Sequence, residues 1–244
     1  MTRRRWIADE VSGNRAALIG EHARHLSQVL RAQVGHEFDI STGTEVRRSR
    51  VVSVDPDRVE FELGDVIPHS VTAPITVALS IFKFDRMEWA IEKCTELGVS
   101  RVIPFIAART EAHLAAASTK RAERWKRIAK QASEQARRIS PPEICAPIKF
   151  KDVLGMNADV RIVLSETEQS LMLQDAIPQA ATSILLAFGP EGGWKEQEIT
   201  AFRDAGWTSA SLGSTILRAE TAVIAAVAIA AAVIDQPLPL TTER

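Results

Sequence analysis

From Ile75 onward the chain alternates short apolar stretches with longer stretches of helical periodicity. Apolar stretches with the length of buried strands lie at residues 75–81, 102–106, 160–164, 184–188 and 209–212. Helices are predicted at residues 86–97 and 119–138, and from Lys195 and Arg218 onward. Strands that alternate with helices form a mostly parallel sheet with helices on both faces. This part is therefore predicted to be an α/β domain covering residues 74–244.

The preceding part of the chain has a different pattern, with short β-like runs at residues 16–19, 37–41, 47–54 and 58–63. Asp55-Pro56-Asp57 is a turn signal between the last two runs, which predicts a hairpin. Residues 22–31 predict a short helix that ends near Gly35. These elements indicate a small β-barrel over residues 1–70, and residues 67–74 are interpreted as a linker.

Composition narrows the class of protein. Hydrophobic residues make up 45% of the 244 residues, enough for a sizeable core, and the formal net charge of −1 does not by itself indicate a nucleic-acid partner. Cys94 and Cys145 are isolated, so neither a disulfide framework nor a cysteine metal site is indicated. The five histidines are scattered. We therefore expect no bound metal.

The longest apolar run, residues 222–234, is mostly alanine and is too short to span a bilayer. Because this run has no polar face, it predicts a helix buried on nearly all sides, either in the core or at a subunit interface. The N-terminal sequence Met1–Trp6 is basic but lacks the apolar stretch of a signal peptide. We therefore expect a cytoplasmic protein without membrane contact.

The loop Gly189-Pro190-Glu191-Gly192-Gly193 directly follows a predicted apolar strand. Three glycines let the backbone turn tightly and approach a ligand, and ligands of open α/β sheets bind beyond the carboxyl ends of the strands. The alternative is a plain turn from strand to helix. The spacing of a Walker A or dinucleotide motif is missing, so the loop is not a recognisable phosphate cradle.

Two further segments carry chemistry-bearing side chains. Residues 212–221 again join a strand to a helix and include Arg218 and Glu220, although Glu220 could simply favour the helix dipole. The predicted helix at residues 119–138 carries eight basic side chains and two acidic ones. Charge concentrated in this way suits contacts with phosphates, and the alternative is a solvated surface helix.

Five motifs occur in order along the chain. They are His25-Leu26 with Val29-Leu30-Arg31 and Gly35; residues 83–89 continuing through 93–99, with Pro104 and Arg109; Glu134-Gln135 with Arg138 and Pro142; residues 189–193; and residues 212–221. Together they resemble the family of ribosomal RNA small-subunit methyltransferase E, the 16S rRNA uridine-N3 methyltransferases, over nearly the whole chain. Ala136, Thr215 and Ala219 depart from the residues that this family often carries there.

The resemblance implies a PUA-like β-barrel for RNA over residues 1–70, followed by a SPOUT α/β domain with a deep trefoil knot. It implies a homodimer that binds S-adenosyl-L-methionine and acts on 16S rRNA of the small ribosomal subunit. The implied cofactor contacts are Leu164, Ser165, Glu166, Phe188, Gly189, Pro190, Glu191, Gly192, Gly193, Leu212, Gly213, Ile216, Leu217 and Thr221.

Methylation at uridine N3 requires that a weakly acidic proton leave while negative charge develops on the uracil carbonyls. Arg218 is the predicted residue for stabilising that charge, and Glu220 is the predicted base. The predicted RNA contacts are Arg31, Arg86, Arg109 and Arg138.

Three other functions compete with this prediction. The first is a SPOUT methyltransferase for tRNA or 23S rRNA, which the match of the first domain disfavours. The second is an RNA-binding protein without enzymatic activity, which would not need two ligand-shaped loops. The third is an unrelated nucleotide-dependent α/β enzyme, which the missing phosphate-loop spacing disfavours.

Overall fold

The computed structural model describes residues 5–68 and 74–234. Contacts divide the chain into two units: the first holds residues 5–68 and Ser133–Pro141, and the second holds residues 74–132 and 142–234. Sequence reasoning had assigned the segment Ser133–Pro141 to the second domain, whereas its contacts are with the first unit. Most of the predicted linker, residues 69–73, lies outside the described residues.

A six-stranded sheet forms the first unit. Its strands are β1 (Arg5–Ile7), β2 (Glu10–Ser12), β3 (Arg15–Ile19), β4 (Glu37–Ser41), β5 (Val46–Asp55) and β6 (Arg58–Ile67), in the spatial order β1-β4-β5-β6-β3-β2. β1 pairs with β4 in parallel and all other pairs are antiparallel. The four predicted runs are strands, and Asp55 pairs with Arg58 across the predicted hairpin. Over residues 5–68 the edge strands β1 and β2 do not pair with each other, so the sheet is a half-barrel.

The predicted helix of this unit is α1 (Glu21–Arg24), which continues as a π-helical turn at His25–Val29. The core under the sheet contains fully buried apolar side chains from strands and helix, among them Leu18, Leu26, Ile40 and Phe61. Alternation of buried and exposed residues along β5 and β6 places one face of each strand on this core.

The segment Ser133–Pro141 is anchored to the first unit by side chains of the sheet and of α1. Arg5 donates a hydrogen bond to the carbonyl of Arg137, and Ser41 donates one to the carbonyl of Ile139. His22 lies between two carboxylates, with Nδ1 3.3 Å from Asp9 and Nε2 3.1 Å from Glu134. Hydrogen bonds to these carboxylates raise the pKa of His22 to about 9, so this imidazole is protonated at neutral pH.

The second unit contains the predicted parallel sheet. Its strands are β7 (Ile75–Ser80), β8 (Arg101–Ile106), β9 (Glu143–Ile144), β10 (Ile148–Lys149), β11 (Val160–Leu164), β12 (Ile184–Phe188) and β13 (Thr208–Ala210). The spatial order is β10-β8-β7-β12-β11-β13, with β9 beside β8, and every pairing is parallel. All five predicted strands are confirmed, and the two-residue strands β9 and β10 are too short to carry a sequence signal.

The helices that follow these strands are α2 (Phe84–Glu96), α3 (Ala112–Gln135), α4 (Phe150–Leu154), α5 (Leu173–Ala176), α6 (Glu196–Asp204) and α7 (Ala219–Ile234). The prediction placed the start of α3 at Thr119, where its charged residues begin. The helix in fact begins at Ala112, because the intervening alanine-rich sequence is also a good helix former. None of the helices in the described part of the chain is long and apolar enough to cross a membrane.

Helices cover both faces of the parallel sheet. Val77 and Leu79 of β7 point into one cluster with Met87 of α2 and Trp125 of α3, whereas Ala78 points into the opposite cluster. That second cluster contains the aromatic side chains Phe105, Phe150, Trp194, Phe202 and Trp207. The α/β expectation is confirmed.

The alanine-rich helix α7 is buried on one side only. Val223, Ala226, Val227 and Ala230 are fully buried against the sheet and neighbouring helices, whereas Thr221, Ala228 and Ala232 on the other side are exposed. The expectation of burial on nearly all sides is therefore wrong for a single chain. Beyond Thr221, the exposed residues of α7 are alanines.

Candidate functional site

Three loops at the carboxyl ends of β11, β12 and β13 meet around one cavity of about 330 Å³. β11 lies between β12 and β13, so the loops after these strands are neighbours at one edge of the sheet. This volume is within the range of small-molecule sites. All the predicted cofactor contacts line the cavity except Gly192 and Thr221. The cavity is also lined by Arg86, Trp194, Ser211, Thr215, Arg218, Ala219 and Ala222.

The glycine loop, residues 189–193, has two positions at which an added β-carbon would crowd a neighbouring side chain. A β-carbon on Gly189 would lie 3.0 Å from the indole of Trp194. A β-carbon on Gly193 would lie 2.4 Å from Oε1 of Glu166, and Gly193 has φ of +71°. Glycine at both positions lets the loop pack against Trp194 and Glu166 and leaves its backbone open to a ligand.

Trp194 joins two of the loops, and the sequence analysis did not single it out. Its Nε1 donates a hydrogen bond of 2.8 Å to the carbonyl of Leu164, the last residue of β11. Its ring stacks on Phe105 and meets Phe202 edge-on, with centroids 6.1 and 5.1 Å away. The available signal was the position of a tryptophan directly after the glycine loop.

The loop after β8 supports the glycine loop from the other side. Arg109 Nη1 donates a hydrogen bond of 2.6 Å to the carbonyl of Gly192. The buried carboxylate of Glu198 accepts hydrogen bonds of 2.9 Å from the backbone N–H groups of Ala108 and Lys195. Arg109 was predicted to contact RNA, and its guanidinium here binds the backbone of the glycine loop.

Arg86, in the first turn of α2, forms ion pairs with two glutamates at the cavity. Its Nη1 lies 2.5 Å from Oε1 of Glu191, and its Nε lies 3.7 Å from Oε1 of Glu220. Glu191 belongs to the glycine loop and Glu220 to the first turn of α7. Arg86 was also predicted to contact RNA, and in the structure its side chain lines the cavity.

The two predicted catalytic residues differ in their positions. Arg218 lines the cavity and is exposed to solvent. Glu220 is not among the lining residues, and its side chain is only 8% exposed. Its Oε2 is buried and has no hydrogen-bond partner among the residues that the structure describes. Glu220 therefore lies behind the cavity wall and is linked to the cavity through Arg86.

The other two predicted RNA contacts belong to the first unit. Arg31 is exposed and has φ of +50°, just after the π-helical turn. Arg138 lies in the segment Ser133–Pro141 and is half-buried, and this burial lowers the pKa of its guanidinium. Within residues 5–68 and 74–234 there is no group of three histidine, cysteine or acidic side chains that could hold a metal ion.

Comparison with known proteins agrees with this architecture. A family model described as an RNA methyltransferase domain matches residues 69–231. The ribosomal RNA small subunit methyltransferase E of Bacillus subtilis is 32% identical over 220 residues, which cover 84% of this chain and 85% of that protein. The chain belongs to the ribosomal RNA small subunit methyltransferase E family.

Other family members match over almost their full length. The methyltransferase E of Aquifex aeolicus is 28% identical, with 92% of this chain and 97% of that protein covered. The crystal structure of the Neisseria gonorrhoeae methyltransferase E, bound to S-adenosyl methionine, has a TM-score of 0.82 at 29% identity. That match covers 93% of this chain and 96% of the other. The α/β fold is therefore the fold of the family.

Proposed function

We propose that the protein transfers a methyl group from S-adenosyl-L-methionine to N3 of a uridine in 16S rRNA of the small ribosomal subunit. The observation that carries the proposal is the cavity at the ends of β11, β12 and β13 in a chain of the methyltransferase E family. A relative of the same fold is bound to S-adenosyl methionine. Family members are named for small-subunit ribosomal RNA.

The cavity suits this cofactor. The glycine loop exposes backbone along one wall, and the cavity is also lined by Gly213, Thr215, Ile216 and Leu217. The cofactor supplies a methyl group already activated on its sulfonium sulfur. The residues therefore have to bind and orient the reactants for in-line attack, and alignment alone can supply a large share of the rate acceleration.

Two side chains are proposed to assist the transfer. Arg218 lines the cavity, and its guanidinium is proposed to stabilise negative charge on the uracil carbonyls. Glu220 is proposed to accept the N3 proton, through a bridging water because it lies behind the wall. Replacement of Glu220 by glutamine should reduce turnover on assembled small subunits by about 100-fold at saturating cofactor. Full turnover of this variant would contradict the assignment of Glu220 as the base.

The first unit, whose sheet is a half-barrel, is proposed to be a PUA-like domain that binds the RNA. Its sheet carries arginines on exposed strand faces, including Arg48 and Arg50 of β5. Arg31 and Arg138 are the proposed RNA contacts in this unit, and Arg109 is the proposed RNA contact beside the cavity. Neutralising a residue that contacts phosphate should weaken RNA binding and reduce its dependence on salt.

The second unit is proposed to contain the trefoil knot of SPOUT methyltransferases and to form a homodimer. The exposed alanine face of α7, which includes Ala228 and Ala232, supports the dimer because such a face gains stability when it is covered. Sedimentation of the purified protein tests it. A monomer at micromolar concentration would contradict the dimer.

Mass mapping of methylated nucleotides tests the proposed reaction. Small-subunit rRNA from cells that lack the protein should lose one N3-methyluridine, which returns when the protein is restored. A methyl group lost from tRNA or 23S rRNA instead would favour the alternative substrates. Calorimetry with S-adenosyl-L-methionine separates a methyltransferase from a pure RNA-binding protein, which would show no binding.

A further inference from the structure

The position of Arg86 is not explained by the stability of its helix. Arg86 is the third residue of α2, where the partial positive charge of the helix dipole disfavours a cation. The neighbouring Asp85 has the charge that this position favours. An arginine in the first turn must therefore be compensated by other contacts, and the two glutamates at the cavity supply them.

Arg86 joins two elements that are far apart in the sequence. Glu191, 105 residues along the chain, belongs to the glycine loop that follows β12. Glu220 belongs to α7, directly after the loop that forms the other side of the cavity. The shape of the cavity depends on the distance between these two loops. One guanidinium pairs with a carboxylate on each side, 2.5 Å from Glu191 and 3.7 Å from Glu220.

An arginine is suited to this position because its planar guanidinium carries five N–H donors in a fixed geometry. Here Nη1 contacts Glu191 and Nε faces Glu220, so the two glutamates use different edges of one group. A lysine has a single charged nitrogen on a flexible chain and would hold one carboxylate well and the other poorly.

The three side chains differ in burial, and only Glu220 is buried. The side chains of Arg86 and Glu191 are 31% and 27% exposed, and that of Glu220 is 8% exposed. Ion pairs removed from solvent are screened less than pairs on the surface, and the loss of one partner leaves a buried charge uncompensated. Oε2 of Glu220 has no hydrogen-bond partner among the described residues, and Arg86 pairs with this buried carboxylate through the other oxygen, Oε1.

We propose that Arg86 is a positioning residue of the cofactor site, which ties the glycine loop to α7 through Glu191 and Glu220, and that it is not a surface contact for RNA. This inference rests on the proposed cofactor site. It does not depend on whether Glu220 is the base.

The test uses the full-length protein with three single variants and calorimetry with S-adenosyl-L-methionine. R86M should bind the cofactor at least about tenfold more weakly than the wild type, because the two loops lose their common partner. R86K should recover part of that loss through one of the two carboxylates. R101M is the matched control, since Arg101 also pairs with a glutamate, 3.0 Å away, but lies away from the cavity. R101M should bind as the wild type does.

A double-mutant cycle separates a positioning role from general damage to the fold. E191Q and R86M should each weaken cofactor binding, and the double variant should be no weaker than R86M alone, because both changes break the same contact. Thermal unfolding of each variant identifies a change that merely destabilises the chain. Additive losses in the cycle would overturn the proposal.

A second measurement tests whether Arg86 contacts RNA instead. If R86M bound the cofactor as tightly as the wild type but required more rRNA for half-maximal rate, with a smaller salt dependence, Arg86 would be an RNA contact and the inference would be wrong. If the wild-type protein bound no S-adenosyl-L-methionine, the proposed function itself would fail. If E220Q kept both full turnover and wild-type cofactor affinity, the base assignment and the tie through Glu220 would both be wrong. If E220Q lost cofactor affinity but kept full turnover at saturating cofactor, only the base assignment would be wrong.

Discussion

The two loops that face each other across the cavity are built differently. The glycine loop contacts the indole of Trp194 and the guanidinium groups of Arg86 and Arg109, and it leads into the helix that starts at Glu196. The loop of residues 211–218 has Ser211 buried at its start, but residues 213–216 are exposed, and Ile216 is 88% exposed. One wall of the cavity is therefore preformed, whereas the other has few contacts in a single chain.

This difference indicates that the two loops contribute differently to cofactor binding and to stability. A wall that is held by hydrogen bonds before the ligand arrives lowers the entropic cost of binding, because little remains to be ordered. A loop with exposed apolar side chains gains contacts only when a cofactor, an RNA or a second copy of the chain covers it. We therefore expect substitutions in the glycine loop to affect binding of the cofactor most, and substitutions in the second loop to affect stability least.

The largest effect is expected for Gly193→Ala. The added β-carbon imposes strain at φ of +71° and displaces the carboxylate of Glu166, which itself lines the cavity. Cofactor affinity measured by calorimetry should fall by about 10- to 100-fold. Gly155→Ala is the control, because a β-carbon there meets nothing within 4 Å and φ is −84°. Wild-type affinity in Gly193→Ala would show that the glycine loop is not a fixed wall.

A smaller effect is expected for Glu198→Gln. The carboxylate accepts one backbone hydrogen bond through each oxygen, from Ala108 and from Lys195, and an amide group can accept only one of them. The remaining N–H would face the amide nitrogen, which costs about 1–2 kcal/mol of folding stability. Chemical denaturation measures the loss, and Glu196→Gln in the exposed first turn of the same helix is the control. Equal stability of the two variants would contradict the support role of Glu198.

The comparison also shows which parts of the site can be predicted from sequence. The strands and both loops were predictable because apolar runs, turn residues and glycines are local signals. That these loops border one site was predictable because the carboxyl ends of neighbouring parallel strands lie at one edge of the sheet. The resemblance to the family added the cofactor, which no local pattern indicated.

The contacts that fix the glycine loop were not predictable. Arg86 and Arg109 have their partners 105 and 83 residues away in sequence, so no local pattern reveals these contacts. The resemblance to an RNA methyltransferase family led instead to the interpretation of both arginines as RNA contacts. Only the fold shows that their guanidinia turn toward the loop. The same limit applies to Ser133–Pro141, since a segment that includes the end of α3 and the residues after it carries no local sign that it belongs to the first unit.

The third prediction compares the two loops at matched residues. Gly213, like Gly193, has a left-handed backbone conformation, with φ of +120°, but a β-carbon on Gly213 meets nothing within 4 Å. Gly213→Ala should therefore cost only backbone strain, about 1–2 kcal/mol, and should weaken cofactor binding less than Gly193→Ala. Calorimetry of both variants under one set of conditions gives the ranking. The reverse order would mean that the second loop is the more constrained wall.

The smallest effect on stability is expected for Ile216→Ser. Ile216 is 88% exposed, so its replacement removes almost no buried apolar surface from a single chain, and the free energy of unfolding should change by less than about 0.5 kcal/mol. Ile162→Ser, at a fully buried position of β11, is the contrasting control and should cost several times more. If Ile216 contacts a bound cofactor, RNA or second subunit, the variant should still lose activity or association. A large loss of stability in dilute monomer would show that the second loop is already packed, and the contrast between the two walls would not hold.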